Sequence, residues 1–211
     1  MLKGAIIGAI AGLVVTLVMF AKRGSTRKKV LAALSTQGPQ AARAVLDKRV
    51  APTAKISTSR FLDVRERVCA LAVIGDVDAL QRELEAMTGS LTVVSQVGVL
   101  GWLATALRLP DPSPAIAKVE EHASRLESEG GRMMALAKRK MRALADLAAA
   151  LQSGAQLAAD TRRDIDAVSN DGGFVQVVIW QALRRYLQAA GEAEKAEVYA
   201  MRVRSVTTAF E

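Results

Sequence analysis

Cysteine and histidine each occur once in this 211-residue chain, and only eight residues are aromatic. The single thiol, Cys69, excludes an internal disulfide framework, and the single imidazole, His122, excludes a metal cluster built on histidines. Few aromatics beside abundant Ala and Leu favour closely packed helices over a β-sandwich. Acidic residues are missing altogether from the first 30 positions, which hold six of the 29 Lys and Arg residues. Beyond them, 23 basic residues meet 21 acidic ones, so the formal charge of +8 is concentrated at one end. With no basic stripe interleaved with aromatics, the chain lacks the footprint of a DNA- or RNA-binding surface. Richness in Ala and Arg points to a GC-rich bacterial source.

What the N-terminus does have is an apolar run from Gly4 to Ala21, followed at once by Lys22, Arg23, Arg27, Lys28 and Lys29. Eighteen helical residues span about 27 Å, just under the roughly 30 Å of a hydrocarbon core, so Lys3 and Lys22 would snorkel from the two ends. The n-region is too weakly basic for a cleavable signal, and a cut after Ala21 would place Met19 where a small residue belongs. The expectation is a single-pass signal-anchor in an inner (cytoplasmic) membrane. Five flanking cations on the C-terminal side fix it N-out, with the body in the cytoplasm and anionic lipid against the flank. Gly4, Gly8 and Gly12 fall on one helix face with Thr16 below. That smooth strip would pack another transmembrane helix, either a second copy or a partner.

Downstream, apolar residues recur at three and four with no stretch of period-two alternation, which predicts an all-α fold. Breaks at Gly38-Pro39, Gly75-Asp76, Pro110-Asp111-Pro112, Ser153-Gly154 and Ala190-Gly191 alternate with breaks at Gly89-Ser90, Gly130-Gly131 and Gly172-Gly173. The first set follows Leu34, Leu71, Leu107, Leu151 and Leu187, spaced by 37, 36, 44 and 36 residues. A unit of about 36 residues with a turn at its middle is a helical hairpin, which needs stacked neighbours to bury its apolar face. The layout expected is an anchor with basic flank at 1–29, a hairpin and linker at 30–60, and a helical-repeat domain at 61–211. The predicted product is a short α-solenoid of stacked hairpins, which the period alone does not separate from a compact helical bundle.

The last unit, with Trp180, Leu183, Leu187, Gly191, Ala196 and Ala200, resembles a tetratricopeptide repeat over roughly 26 residues. The resemblance implies that Trp180 opens the first helix, Gly191 makes the turn and Ala196 lets the helices approach. Arg184 departs from it, since the family has a small residue there, and the Gly75-Asp76 unit matches only in part. A tetratricopeptide-like α-solenoid implies a protein-binding scaffold.

Few residues offer chemistry. His122 stands beside Glu120 and Glu121, with Arg125 four residues past Glu121, and reads as part of a solvated helix face. Cys69 lies in the apolar segment 68–74 and reads as a small buried hydrophobe. Asp76 follows a turn glycine and reads as a helix cap; Asp78, Asp164 and Asp166 are acids of the same kind. The glycine pairs lack a phosphate-loop context. Lys138, Arg139, Lys140 and Arg142 form the best basic patch, open to an acidic partner or simply solvated. No catalytic residue, cofactor site or metal site is assigned.

The expectation is a membrane-anchored helical-repeat adaptor, or accessory subunit of a multiprotein membrane complex, binding a protein partner at the cytoplasmic face. The alternatives are a periplasmic tetratricopeptide-like assembly or folding factor, and an enzyme or transport component whose site is unrecognised.

Overall fold

Two leucines four residues before a glycine explain how the hairpins turn. Gly75 (φ 88°) and Gly191 (φ 76°) adopt the left-handed conformation that side chains disfavour. This lets the Asp76 amide donate to the Leu71 carbonyl at 3.0 Å and the Glu192 amide to the Leu187 carbonyl at 2.9 Å. The carbonyls orphaned at the helix end are thereby satisfied, and the chain reverses. Asp76 then caps the next helix, its carboxylate accepting from the Ala79 amide at 3.1 Å.

A computed structural model describes residues 25–52, 54–129, 134–208 and 210. The apolar run with Gly4, Gly8 and Gly12, and the flanking Lys22 and Arg23, lie outside them. Among the described residues, no helix is long and apolar enough to cross a membrane. The first helix, α1, covers residues 25–37 and is followed by α2 (Pro39–Arg49). Four hairpins then succeed one another: α3 (Phe61–Ile74) with α4 (Val77–Glu85), and α5 (Leu91–Ala106) with α6 (Ser113–Ser128). The third and fourth are α7 (Ala135–Ser153) with α8 (Ala159–Ser169), and α9 (Gly173–Ala189) with α10 (Ala193–Arg204). The fold is all-α apart from a two-residue parallel bridge, β1 (Lys55–Ile56) with β2 (Thr88–Gly89).

The first helices of these hairpins form the interior. α3 packs on α5, α5 on α7 and α7 on α9, and α9 returns to pack on α3. An open solenoid would keep α3 and α9 apart; here the first and fourth hairpins meet, so the repeats close into a ring. Val68 to Ile74 of α3 are all buried, as are Val97 to Leu107 at the end of α5. A helix apolar all round belongs inside, and each fully buried leucine there, such as Leu71, Leu100 or Leu144, would cost about 2–5 kcal/mol if cut to alanine. α4, α6, α8 and α10 form the outer layer.

The inner helices all start at one end. The β1–β2 bridge joins the approaches to α3 and α5. Arg65 near the start of α3 pairs at 2.8 Å with Asp171, just before α9, and Lys140 of α7 lies 4.0 Å from the same carboxylate. Arg27 of α1 donates to the Gly173 carbonyl at 3.4 Å. At the opposite end, Arg108 after α5 donates to the carbonyls of Ala72 and Val73 at 2.7 and 2.9 Å, closing the C-terminus of α3. Its guanidinium lies over the Phe210 ring at 4.4 Å. Burial, assisted by the charge of Arg185, pulls the Arg108 pKa down to about 10.

α2 is attached to α3 and α4 through charges. Arg67 of α3, 1% exposed, donates to both oxygens of Glu83 at 2.7 and 2.6 Å and to the Val50 carbonyl at 2.6 Å. It also meets Asp47 of α2 at 2.7 Å. Arg43 of α2 reaches Asp47, Asp76 and Glu83 at 3.0, 2.5 and 3.4 Å. Burial raises the Asp47 pKa, but hydrogen bonds from Arg67 and Arg43 outweigh it and hold the carboxyl below its ordinary value.

Candidate partner-binding groove

The outer helices α8 and α10 both pack on α9 and leave a cleft of about 250 Å³ between them. Leu183 and Leu187 of α9 make its floor, and Val198 of α10 contributes an apolar wall. Tyr186 is 1% exposed, and its hydroxyl accepts from the Leu157 amide at 3.0 Å and from Arg162 of α8 at 3.1 Å. The phenol thereby satisfies a loop amide and fixes a rim guanidinium at once. Arg162 reaches on to Glu192 at 3.5 Å, and Lys195 hydrogen-bonds the same carboxylate. These bonds hold the Glu192 carboxyl below its ordinary pKa, the Lys195 contribution being the largest. On the other rim, Tyr199 donates to Asp166 at 3.5 Å. Burial first, then the Asp166 charge, pushes its phenol pKa upward.

Arg202 completes the groove with its guanidinium 5.2 Å from the centre of the Tyr199 ring and 5.8 Å from that of Trp180. No carboxylate pairs with it among the described residues. Beside it on α10, Val198 is 43% exposed and Met201 54% exposed. Only two other large hydrophobic side chains are comparably exposed among the described residues, Leu91 and Leu136, and they lie on different helices. Val198 in the groove wall, Met201 exposed beside the groove, and a cation seated on an aromatic ledge without a carboxylate partner suit the apolar face of a protein segment.

Of the tetratricopeptide-like positions, Trp180 does not open its helix, because α9 begins seven residues earlier at Gly173. Gly191 makes the turn, and Ala196 and Ala200, 2% and 1% exposed, lie against α9. Arg184 is half-buried on α9. The hairpins are compatible with a helical-repeat fold, while the closed ring is not implied by it.

Several sequence-predicted residues stand in different settings from those expected. His122 is not on a solvated face: it is 9% exposed and packed against α5, where a Cβ on Gly98 would fall 2.6 Å from its ring. Its Nδ1 is buried without a hydrogen-bond partner, and burial lowers its pKa, with Arg125 adding and Glu121 opposing. Glu121 does pair with Arg125 and with Lys118. Cys69 is fully buried, as its apolar surroundings predict, and burial pushes its thiol pKa up.

The cations of the α7 run are all engaged. Arg142 grips Glu120 of α6 and meets Asp146 at 3.0 Å, which raises its pKa. Lys138 donates to the carbonyls of Glu127 and Glu129, Arg139 pairs with Asp164 at 2.8 Å, and Lys140 faces Asp171. The run thus clamps α6 and α8 onto α7, and an acidic partner would have to displace these acceptors. Arg27, Lys28 and Lys29 lie on α1. Among the described residues, no group of three or more His, Cys, Asp or Glu side chains is placed to hold a metal ion.

Sequence reasoning passed over Glu66. Its carboxylate accepts from the Phe174 amide at 2.7 Å and so caps α9 from α3. A Cβ on Gly173 would fall on that carboxylate, 1.8 Å from Oε1. The glycine pair at 172–173 is the one available signal, for it makes room for a carboxylate at a helix start. Comparison with protein-family models, with curated proteins and with solved structures finds no match.

Proposed function

We propose that this chain is a membrane-anchored helical-repeat adaptor, or accessory subunit of a membrane complex, that holds a protein partner at the cytoplasmic face through the α8–α9–α10 groove. The observation that carries the reading is the paired exposure of Val198 and Met201 beside unpaired Arg202. Apolar side chains left in water over a preformed aromatic ledge gain free energy when a partner covers them, and the rigid α9 floor limits the ordering cost. The apolar run 4–21 supports confinement to a membrane, which raises the effective concentration near other membrane proteins and makes a small groove sufficient. Gly4, Gly8 and Gly12 would dock a neighbouring transmembrane helix or a second copy.

A photoreactive residue at position 201 tests the groove in intact membranes. The expected result is an adduct with a distinct protein, lost when Arg202→Glu is introduced and absent when the probe stands at Leu136. Equal adducts from positions 201 and 136 would refute the groove. A phosphatase fused after Glu211 is expected to be inactive; activity would favour the periplasmic reading instead. Gly8→Leu should leave membrane insertion intact while releasing the transmembrane partner, and an unchanged complex would remove the glycine face.

A further inference from the structure

The hairpin topology separates charge along the ring axis. Every outer helix starts at the hairpin-turn end, and acids stand at three of the four starts: Asp76, which caps the Ala79 amide, and Asp78 at α4, Asp160 in α8, and Glu192 and Glu194 around α10, while α6 has none in its first turn. At the other end the outer helices and α2 finish, and cations complement their carbonyls: Lys48 and Arg49 on α2, Arg82 on α4, Arg202 and Arg204 on α10. Residues 25–29 of α1 lie there too, bringing Lys28 and Lys29. Helix dipoles explain why each residue is favoured locally. At the turn end most of these acids are paired with cations, as Glu192 is with Arg162 and Lys195, whereas the cations at the other end include several without a carboxylate.

The basic end holds residue 25, the first described residue, four positions past Ala21 in the sequence. Several cations there meet no carboxylate among the described residues: Lys28, Lys29, Lys48, Arg49 and Arg82, while Arg60 donates to the Ala51 carbonyl at 3.4 Å. Three of them line one cleft of about 590 Å³ between α1 and α2, where Lys29 faces Lys48 and Arg49 over Ala32, Ala33 and Val45. Unpaired cations above small apolar walls match a phospholipid, with its phosphate among the charges and the top of its glycerol and acyl region against the alanines.

We infer that this end of the ring is a membrane-docking face, with the α1–α2 cleft seated on anionic phospholipid and the acidic hairpin turns directed away from the bilayer. The inference rests on the proposed anchor and adds to it an orientation of the folded body. A tethered body otherwise samples many orientations; here attraction of its unpaired cations, each worth about fivefold in the docked-to-undocked ratio, would select one.

The test places the full chain in phosphatidylcholine vesicles, with or without phosphatidylglycerol, and attaches a fluorophore at Ala51→Cys on the basic end or Ala190→Cys on the turn end. Native Cys69 is buried and does not compete. Headgroup nitroxides should quench the probe at 51 and spare that at 190, only when phosphatidylglycerol is present. Replacing Lys29, Lys48 and Arg49 by Gln should lower the docked-to-undocked ratio on the order of 100-fold without releasing the chain from vesicles. Equal quenching at both positions in vesicles that retain the protein through alkaline carbonate overturns the docking face alone. Release by carbonate overturns the anchor and the docking face together. Loss of quenching on adding inorganic phosphate at constant ionic strength overturns a lipid-specific seat.

Discussion

Glu83→Ala should cost more stability than Arg67→Met, although the two side chains share the same bonds. With Glu83 gone, the Arg67 guanidinium stays 1% exposed and loses two hydrogen bonds of 2.7 and 2.6 Å. Each charge-assisted bond contributes about 1.5–3 kcal/mol, and an orphaned buried charge costs about 3–5 kcal/mol. Asp47, at 2.7 Å, and the Val50 carbonyl continue to hold Arg67, so the expected loss lies near the lower bound, about 3 kcal/mol. With Arg67 gone, Glu83 is 19% exposed and keeps Arg43 at 3.4 Å, so water and a second cation both compensate. Methionine refills the space of the stem, and the expected loss is about 1–2 kcal/mol. The double variant Arg67→Met, Glu83→Met should recover most of the Glu83→Ala loss, because no unpaired charge is left. Urea unfolding followed by circular dichroism measures all three. A larger loss for Arg67→Met than for Glu83→Ala, or losses below about 1 kcal/mol for both, would refute the view that the network neutralises a buried arginine.

Other perturbations follow from the same packing. Because burial lowers the His122 pKa, the unfolded chain binds the proton more readily, so stability is full above about pH 6.5 and declines as pH falls toward the folded value. Denaturation midpoints across that range should lose this one-proton slope in His122→Gln. Asp47 acts in the acid range: its depressed pKa contributes stability that is present above about pH 4 and is lost as pH falls through the folded value, and Asp47→Asn should shallow the acid transition. Gly173→Ala combines φ +65° with a collision against Glu66, whereas Gly75→Ala at φ +88° meets open space. The second should cost about 1 kcal/mol and the first clearly more, read as the gap between their thermal midpoints. Gly98→Ala should cost about 1–3 kcal/mol by driving a methyl into the His122 ring, and a smaller residue at 122 should restore the loss. Cys69 should react with a thiol reagent only as fast as the protein unfolds.

The hairpin boundaries were legible because local chemistry makes them. The leucine spacing marks where the first helix of each pair ends, and Gly75 and Gly191 turn the chain through bonds between residues five apart. The 44-residue step is longer because α7, at 19 residues, is the longest described helix and follows the 16-residue α6. Ring closure was not legible, since it depends on α3 meeting α9 about a hundred residues later. Its one trace is the apolar, faceless run in α3 and α5, which marks a helix surrounded on all sides. His122 misled because its neighbours in sequence are acidic, while its neighbour in space is Gly98, whose missing side chain makes the room. The α7 cations misled in the same way, for the acids that hold Arg142 and Arg139 come from α6 and α8.

Closure of α3 onto α9 also fixes how this architecture can vary over generations. An open array gains or loses an internal unit by duplication or deletion and survives, because each unit contacts only its neighbours. A circle of four has no terminus at which to insert a fifth without parting a buried seam. New specificities must therefore arise by altering the outward helices while the count of hairpins stays locked.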